Sequence, residues 1–135
     1  MVRPWAMIRS FYADLVSSSR LVECCLPVDS MLELVQAIEA SHYASGLYAW
    51  TSMHDLCIVQ TPVSYPYDGP FLRVSLLLGG KLEFRYIDTF KEDRQWHRTV
   101  EGSEGFSRIE RFIDELHWFT HTSSRLLLNR RGRGE

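Results

Sequence analysis

Long apolar runs, an excess of one charge and the short signatures of catalysis are all missing from this chain. No apolar stretch approaches the ~20 residues that a membrane-spanning helix requires, so no membrane partner is expected. Between Met1 and Ser19, Arg9 and Asp14 interrupt any secretory hydrophobic region. A net charge of −2 gives no large basic field and argues against nucleic acid as the main partner. No glycine-rich loop offers backbone N–H groups to a phosphate, and no G-x-S-x-G elbow presents a serine. No C-x-x-C pair has zinc spacing. Cysteine is scarce: Cys24, Cys25 and Cys57 make an odd count, and adjacent cysteines bridge only with strain. Reduced, half-buried thiols in a soluble cytoplasmic protein are the simplest reading. No cofactor is implied.

What is present is the material of an ordinary globular fold. A chain of 135 residues with 45% hydrophobic and 24% charged residues is about one domain. At that length roughly two-thirds of the unfolded surface is buried on folding, which suffices without a disulfide or metal. The pattern divides into an N-terminal helical extension over 1–19, one α+β domain over 20–120, and a basic tail over 121–135. In the last eleven residues Arg125, Arg130, Arg131 and Arg133 stand against Glu135. That sum of +3 leaves −5 on the rest of a chain whose total is −2. Such a tail is expected to be solvated and disordered.

Periodicity supplies the elements. Trp5, Ile8, Tyr12 and Leu15 recur at helical spacing after Pro4. Arg20 to Leu26 reads as a short strand stopped by Pro27. Ser30 and Glu33 have capping-box spacing, and Met31, Leu34, Val35 and Ile38 form one stripe of a helix over 30–41. Leu47 to Met53 and Leu56 to Thr61 make a hairpin around His54-Asp55. A second hairpin joins Phe71 to Leu78 and Leu82 to Asp88. A loop of Gly79-Gly80-Lys81 pairs Leu78 with Leu82, Leu76 with Phe84 and Val74 with Tyr86, which puts all six on one face. Arg73, Ser75, Glu83 and Arg85 share the other. Thr89 to Gly102 reads as a charged, irregular segment. Ser103 is placed to cap a last helix over 103–118 with the stripe Phe106, Ile109, Phe112, Ile113, Leu116.

The expected fold is therefore α+β: a mainly antiparallel sheet of four or five strands built on two consecutive hairpins. Two amphipathic helices pack on one face, and the N-terminal helix covers an edge or docks on the other.

Candidate sites are sparse, and each has an ordinary structural alternative. His117 and His121 are i and i+4, which puts two imidazoles on one helical face as a metal pair requires. The glutamate of the H-E-x-x-H pattern is replaced by Trp118, and histidines also suit a helix C-terminus electrostatically. His97, in the run Trp96-His97-Arg98 among several carboxylates, is a candidate general base. Charged loops, however, are commonly just solvated. Tyr48 and Trp50, with Arg73 and Arg85 on the neighbouring hairpin, could form a stacking platform for single-stranded nucleic acid, or simply belong to a core or interface. The loop Tyr65-Pro66-Tyr67-Asp68-Gly69-Pro70 holds two tyrosines between prolines, which suits partner binding at low entropic cost.

The leading expectation is a small intracellular non-catalytic protein-binding module, of adaptor, regulatory or toxin-neutralising type. Its contacts are Tyr65, Tyr67, Arg73, Glu83 and Arg85. Its partner is another protein or a second copy, a homodimer forming through the polar sheet face or an edge strand. The alternatives are a small histidine- or metal-dependent hydrolase using His97, His117 and His121, and nucleic-acid binding through sheet aromatics and the basic tail.

Overall fold

Alternation, clear over Phe71–Leu77 and Lys81–Ile87, sorts the sheet into an apolar face and a mixed one, and the helices follow the apolar face. The computed structural model describes residues 1–18 and 26–118. Among them, five strands lie in chain order: β1 (Tyr48–Ser52), β2 (Asp55–Val59), β3 (Phe71–Leu77), β4 (Lys81–Ile87) and β5 (Trp96–Glu101). Every neighbouring pair is antiparallel. The register gathers Ala49, Leu56, Ile58, Leu72, Val74, Leu82 and Phe84 on the inner face, all fully buried. The fold is α+β, as the patterning predicts.

Three helices close the inner face: α1 (Trp5–Ser17), α2 (Val28–Ala40) and α3 (Gly105–Glu115). The stripe expected for α2, Met31, Leu34, Val35 and Ile38, is buried, and of that expected for α3, Ile109, Phe112 and Ile113 are buried while Phe106 and Leu116 are partly buried against them. Ile8 and Tyr12 of α1 join the same hydrophobic cluster as the sheet. The helix is expected to cover an edge or dock on the other face; instead it packs beside α2 on the inner face, and the residues that lead into it cover the edge. The Arg3 backbone N–H donates to the Ala49 carbonyl (2.8 Å), and Trp5 Nε1 donates to the Leu47 carbonyl (3.0 Å). These bonds occupy the free side of β1. Arg9 pairs with Glu39 of α2 at 3.0 Å.

Phe112 is the centre of an aromatic group, with ring centroids at 4.8 Å to Trp118, 5.0 Å to Trp96 and 5.7 Å to Tyr86. The Trp96 ring also receives two guanidinium groups, Arg98 at 4.9 Å and Arg108 at 5.2 Å. Arg108, only 6% exposed, makes an ion pair with Glu115. Cation–π contact and charge pairing together let a buried arginine tie α3 to β5.

Several expectations are corrected. The segment 96–101, read as irregular, is the edge strand β5. Trp96 and Val100 face inward, while His97, Arg98 and Thr99 are exposed. Charge on an edge strand discourages pairing with other chains, and it also hides the strand from a hydrophobicity reading. The first hairpin turns at Met53-His54, not His54-Asp55, because Ser52 pairs with Asp55. Met53 takes the left-handed backbone (φ 58°) that the turn requires. The second hairpin has the expected three-residue loop, but it is Leu78-Gly79-Gly80. Leu76 therefore pairs with Leu82, and Val74 with Phe84. Gly79 and Gly80 have φ of 85° and 79°. Shifting the loop by one would put Lys81 in a conformation that glycine adopts without strain. The faces are unchanged, because the pairing moves by an even step, and Leu78 is left 70% exposed.

Neither expected cap forms. Pro27 is the N-cap of α2, and no side chain bonds to its first turn. Ser30 instead lies within the helix against Gly102, where an added Cβ would collide with the serine hydroxyl. Glu104, not Ser103, precedes α3, again without a side-chain cap. The strand expected over Arg20 to Leu26 falls almost wholly outside the described residues.

Candidate functional site

The outer face of the sheet is not uniform. Towards the Met53-His54 turn it is organised by Asp55, the first residue of β2. Its Oδ2 accepts from Arg73 Nε (2.7 Å) and from Ser75 Oγ (3.0 Å). Arg73 pairs across the ladder with Arg85, a like-charge juxtaposition that needs compensation. Asp55 supplies it for Arg73. Glu83 supplies it for Arg85, at 3.7 Å. Arg73, Glu83 and Arg85 thus lie side by side as expected, but their charge is largely matched within the sheet. Cys57, opposite Arg73, is fully buried. Burial pushes its thiol up to about 12, with Asp55 adding to the shift and Arg73 opposing it. A thiol held protonated in this way is a packing group, not a nucleophile. On the other side of this turn, the buried Tyr12 hydroxyl donates to the His54 carbonyl at 3.0 Å. Burial, then Asp55, raises its pKa far above the usual phenol range.

The other end of the outer face is aromatic. Trp50 lies 5.4 Å from Phe71 and edge-on to Tyr67 at 6.2 Å. The Tyr67 hydroxyl donates to the Pro70 carbonyl at 2.7 Å. Its ring occupies the space where a Cβ at Gly69 would sit, within 2.6–2.9 Å. Only glycine at 69 lets the ring lie there. Phe71 and Ile87 are the terminal pair of the β3–β4 ladder. The loops entering and leaving that pair enclose a cleft of about 270 Å³, walled by Tyr67, Phe71, Ile87 and Phe90 with Asp68 and Asp88 at its margins. Phe90 is 97% exposed, and Tyr65, two residues before Tyr67, is 85% exposed.

The two tyrosines of the expected binding loop therefore differ. Tyr65 projects into solvent, whereas Tyr67 is a fixed wall of the cleft. Phe71, Ile87, Asp88 and Phe90 were not foreseen as one site. The one sequence signal for it is Phe90, an aromatic residue in a charged stretch that belongs to no periodic pattern.

Among the described residues, His97 and His117 are not brought together with a third metal donor. His97 is exposed on the outer face of β5, across from Arg85. His117 follows α3 on the helical side, with φ 58°. His121 lies outside the described residues, as do Arg125, Arg130, Arg131 and Arg133. Among the described residues, no three His, Cys, Asp or Glu side chains are grouped as metal donors. The proposed nucleic-acid platform is also altered, since Trp50 is covered edge-on by Tyr67 and Arg73 is bound to Asp55. No described helix is long and apolar enough to cross a membrane. Compared with known families, curated proteins and solved structures, the chain matches none of them.

Proposed function

We propose that the protein is a non-catalytic protein-binding module, of adaptor, regulatory or toxin-neutralising type, that engages its partner at the β3–β4 end of the sheet. The observation that carries this reading is the cleft flanked by exposed aromatic residues. Phe90 lines the cleft while exposed to solvent, and the exposed Tyr65 lies two residues before the lining residue Tyr67. Large aromatic side chains cost folding free energy when left in water. Left exposed beside a concave surface, they can supply the apolar anchors that dominate protein interfaces. A rigid wall, fixed by the Tyr67–Pro70 hydrogen bond and the Trp50 contact, lowers the ordering cost of association. A cytoplasmic setting is part of the reading, supported by the free, buried Cys57.

The test is site-specific photocrosslinking in cells of the source organism, with a photoreactive phenylalanine at position 65 or 90. Met53 and Met7, exposed elsewhere, serve as control positions. One protein crosslinked from 65 and 90 but not from 53 or 7 is the expected outcome. No product from 65 or 90, or the same products from all positions, overturns the reading.

A further inference from the structure

The chemistry of the cleft narrows the kind of partner. We infer that it receives an arginine side chain from a polypeptide partner, an inference that rests on the protein-binding reading above.

Four features carry it. First, a space of about 270 Å³ lies below the usual range for a cofactor or drug-sized ligand and suits a single side chain. Second, the walls are Tyr67, Phe71, Phe90 and Ile87, which match both an aliphatic stem and the flat face of a guanidinium. Third, the charge that lines the cleft is of one sign. Asp68 and Asp88 contribute two carboxylates, and no lysine, arginine or histidine lines it. Among the described residues neither carboxylate has an ion pair or a side-chain hydrogen bond. This contrasts with Asp55 and Glu83 on the same sheet, which are matched by arginines. Fourth, Tyr65, two residues before the cleft residue Tyr67, leaves a large aromatic surface exposed. A free amine fills the cleft but leaves that surface wet, whereas a peptide carries chain on either side of its arginine to cover it.

Each component has a role. The ring faces accept the guanidinium by cation–π contact, Asp68 and Asp88 receive its N–H groups, and Ile87 packs against the methylene stem. Both carboxylates are exposed, so their contribution is modest and sensitive to salt.

The experiment titrates the isotope-labelled full chain with the peptide Ala-Ala-Arg-Ala-Ala. Its twin with neutral citrulline in place of arginine, and free arginine, are run in parallel, following backbone amide signals. The expected result is saturable shifts confined to the segments around Tyr67–Phe71 and Ile87–Phe90. The citrulline peptide binds about three- to tenfold more weakly, and free arginine more weakly than the peptide. In the Asp68→Asn, Asp88→Asn double variant the advantage of arginine over citrulline disappears. If that variant does not fold, the wild-type comparison of the two peptides decides alone. Equal binding of both peptides, shifts elsewhere, or no saturable shift overturns the arginine assignment. Free arginine binding as tightly as the peptide overturns the polypeptide source. Crosslinks from positions 65 and 90 that persist while the titration fails leave the protein-binding reading standing and remove only the arginine.

Discussion

The inner and outer faces of the same five strands manage burial in opposite ways. On the inner face, Leu56, Ile58, Leu72, Val74, Leu82 and Phe84 lie fully buried beneath three helices in one continuous cluster. One residue along each strand, the outer face alternates between two solutions. At the turn end, buried or half-buried polar groups are matched with one another: Asp55 with Arg73 and Ser75, Glu83 with Arg85. At the loop end, among the described residues, Asp68 and Asp88 have no ion pair or side-chain hydrogen bond, and Phe90 is left exposed. The inner face holds the protein together, the turn end of the outer face neutralises its own charge, and the loop end is the proposed binding site. Substitutions should therefore separate stability from binding along the sheet.

The largest loss of stability is expected from Phe112→Ala. It removes the ring shared by Tyr86, Trp96 and Trp118 and should destabilise by about 3–5 kcal/mol in urea unfolding. A loss below about 1 kcal/mol would mean that this cluster is not what closes the inner face.

Alkaline pH should come next. Above about pH 9 the unfolded chain releases the Cys57 proton, while the folded chain holds it until about 12. Stability is thus intact below pH 9 and falls as pH rises through that window, with a limiting slope of about 1.4 kcal/mol per pH unit for this group. Tyr12, whose pKa is also raised by burial, steepens the fall above about pH 10. Urea midpoints measured across this range should decline for the native chain and less steeply for Cys57→Ala. Parallel curves would show that the thiol does not titrate differently in the two states.

A smaller effect is expected from Asp55→Asn, which strips the charge that matches Arg73 and weakens two hydrogen bonds, by about 1–2 kcal/mol. Thermal melts of this variant beside Arg73→Ala and the double variant give the coupling, and additive losses would break the claim that the turn end is self-matched. Smallest of all, Phe90→Ala should change stability by no more than about 0.5 kcal/mol while abolishing the crosslink from position 65. A clear stability loss would make Phe90 part of the scaffold.

Periodicity made the helices and the two hairpins legible, because burial on one face imposes a period that the residues must obey. Leu72, Val74, Leu82 and Phe84 announce their face whichever register is chosen. For the same reason the exact pairing stayed hidden: a shift by an even step leaves the faces unchanged, and only the glycine conformations at 79 and 80 fix the loop. Strand β5 escaped because an edge strand bonded on one side can carry His97, Arg98, Thr99 and Glu101, and its two apolar residues, Trp96 and Val100, are too few to set a period. The cleft could not be read at all from local pattern. Its walls come from two loops some twenty residues apart, and only the Phe71–Ile87 pair at the end of the ladder joins them. Tyr65 drew notice because prolines mark its loop, whereas Phe90 stands among charges that read as solvated surface.

The strand order has a kinetic consequence. Every strand lies beside its neighbour in sequence, so the sheet can assemble from the β3–β4 hairpin outward, closing one short loop at a time. Contacts of low sequence separation incur little loop-closure entropy before they gain free energy, and folding rates rise accordingly. A late step is the bridge from Arg3, just before α1, to Ala49, which reaches across more than forty residues. Ile8 and Tyr12 have an earlier partner: α2 follows α1 closely in sequence and packs against it more extensively than β1 does, so the two helices can pair before the sheet closes over them.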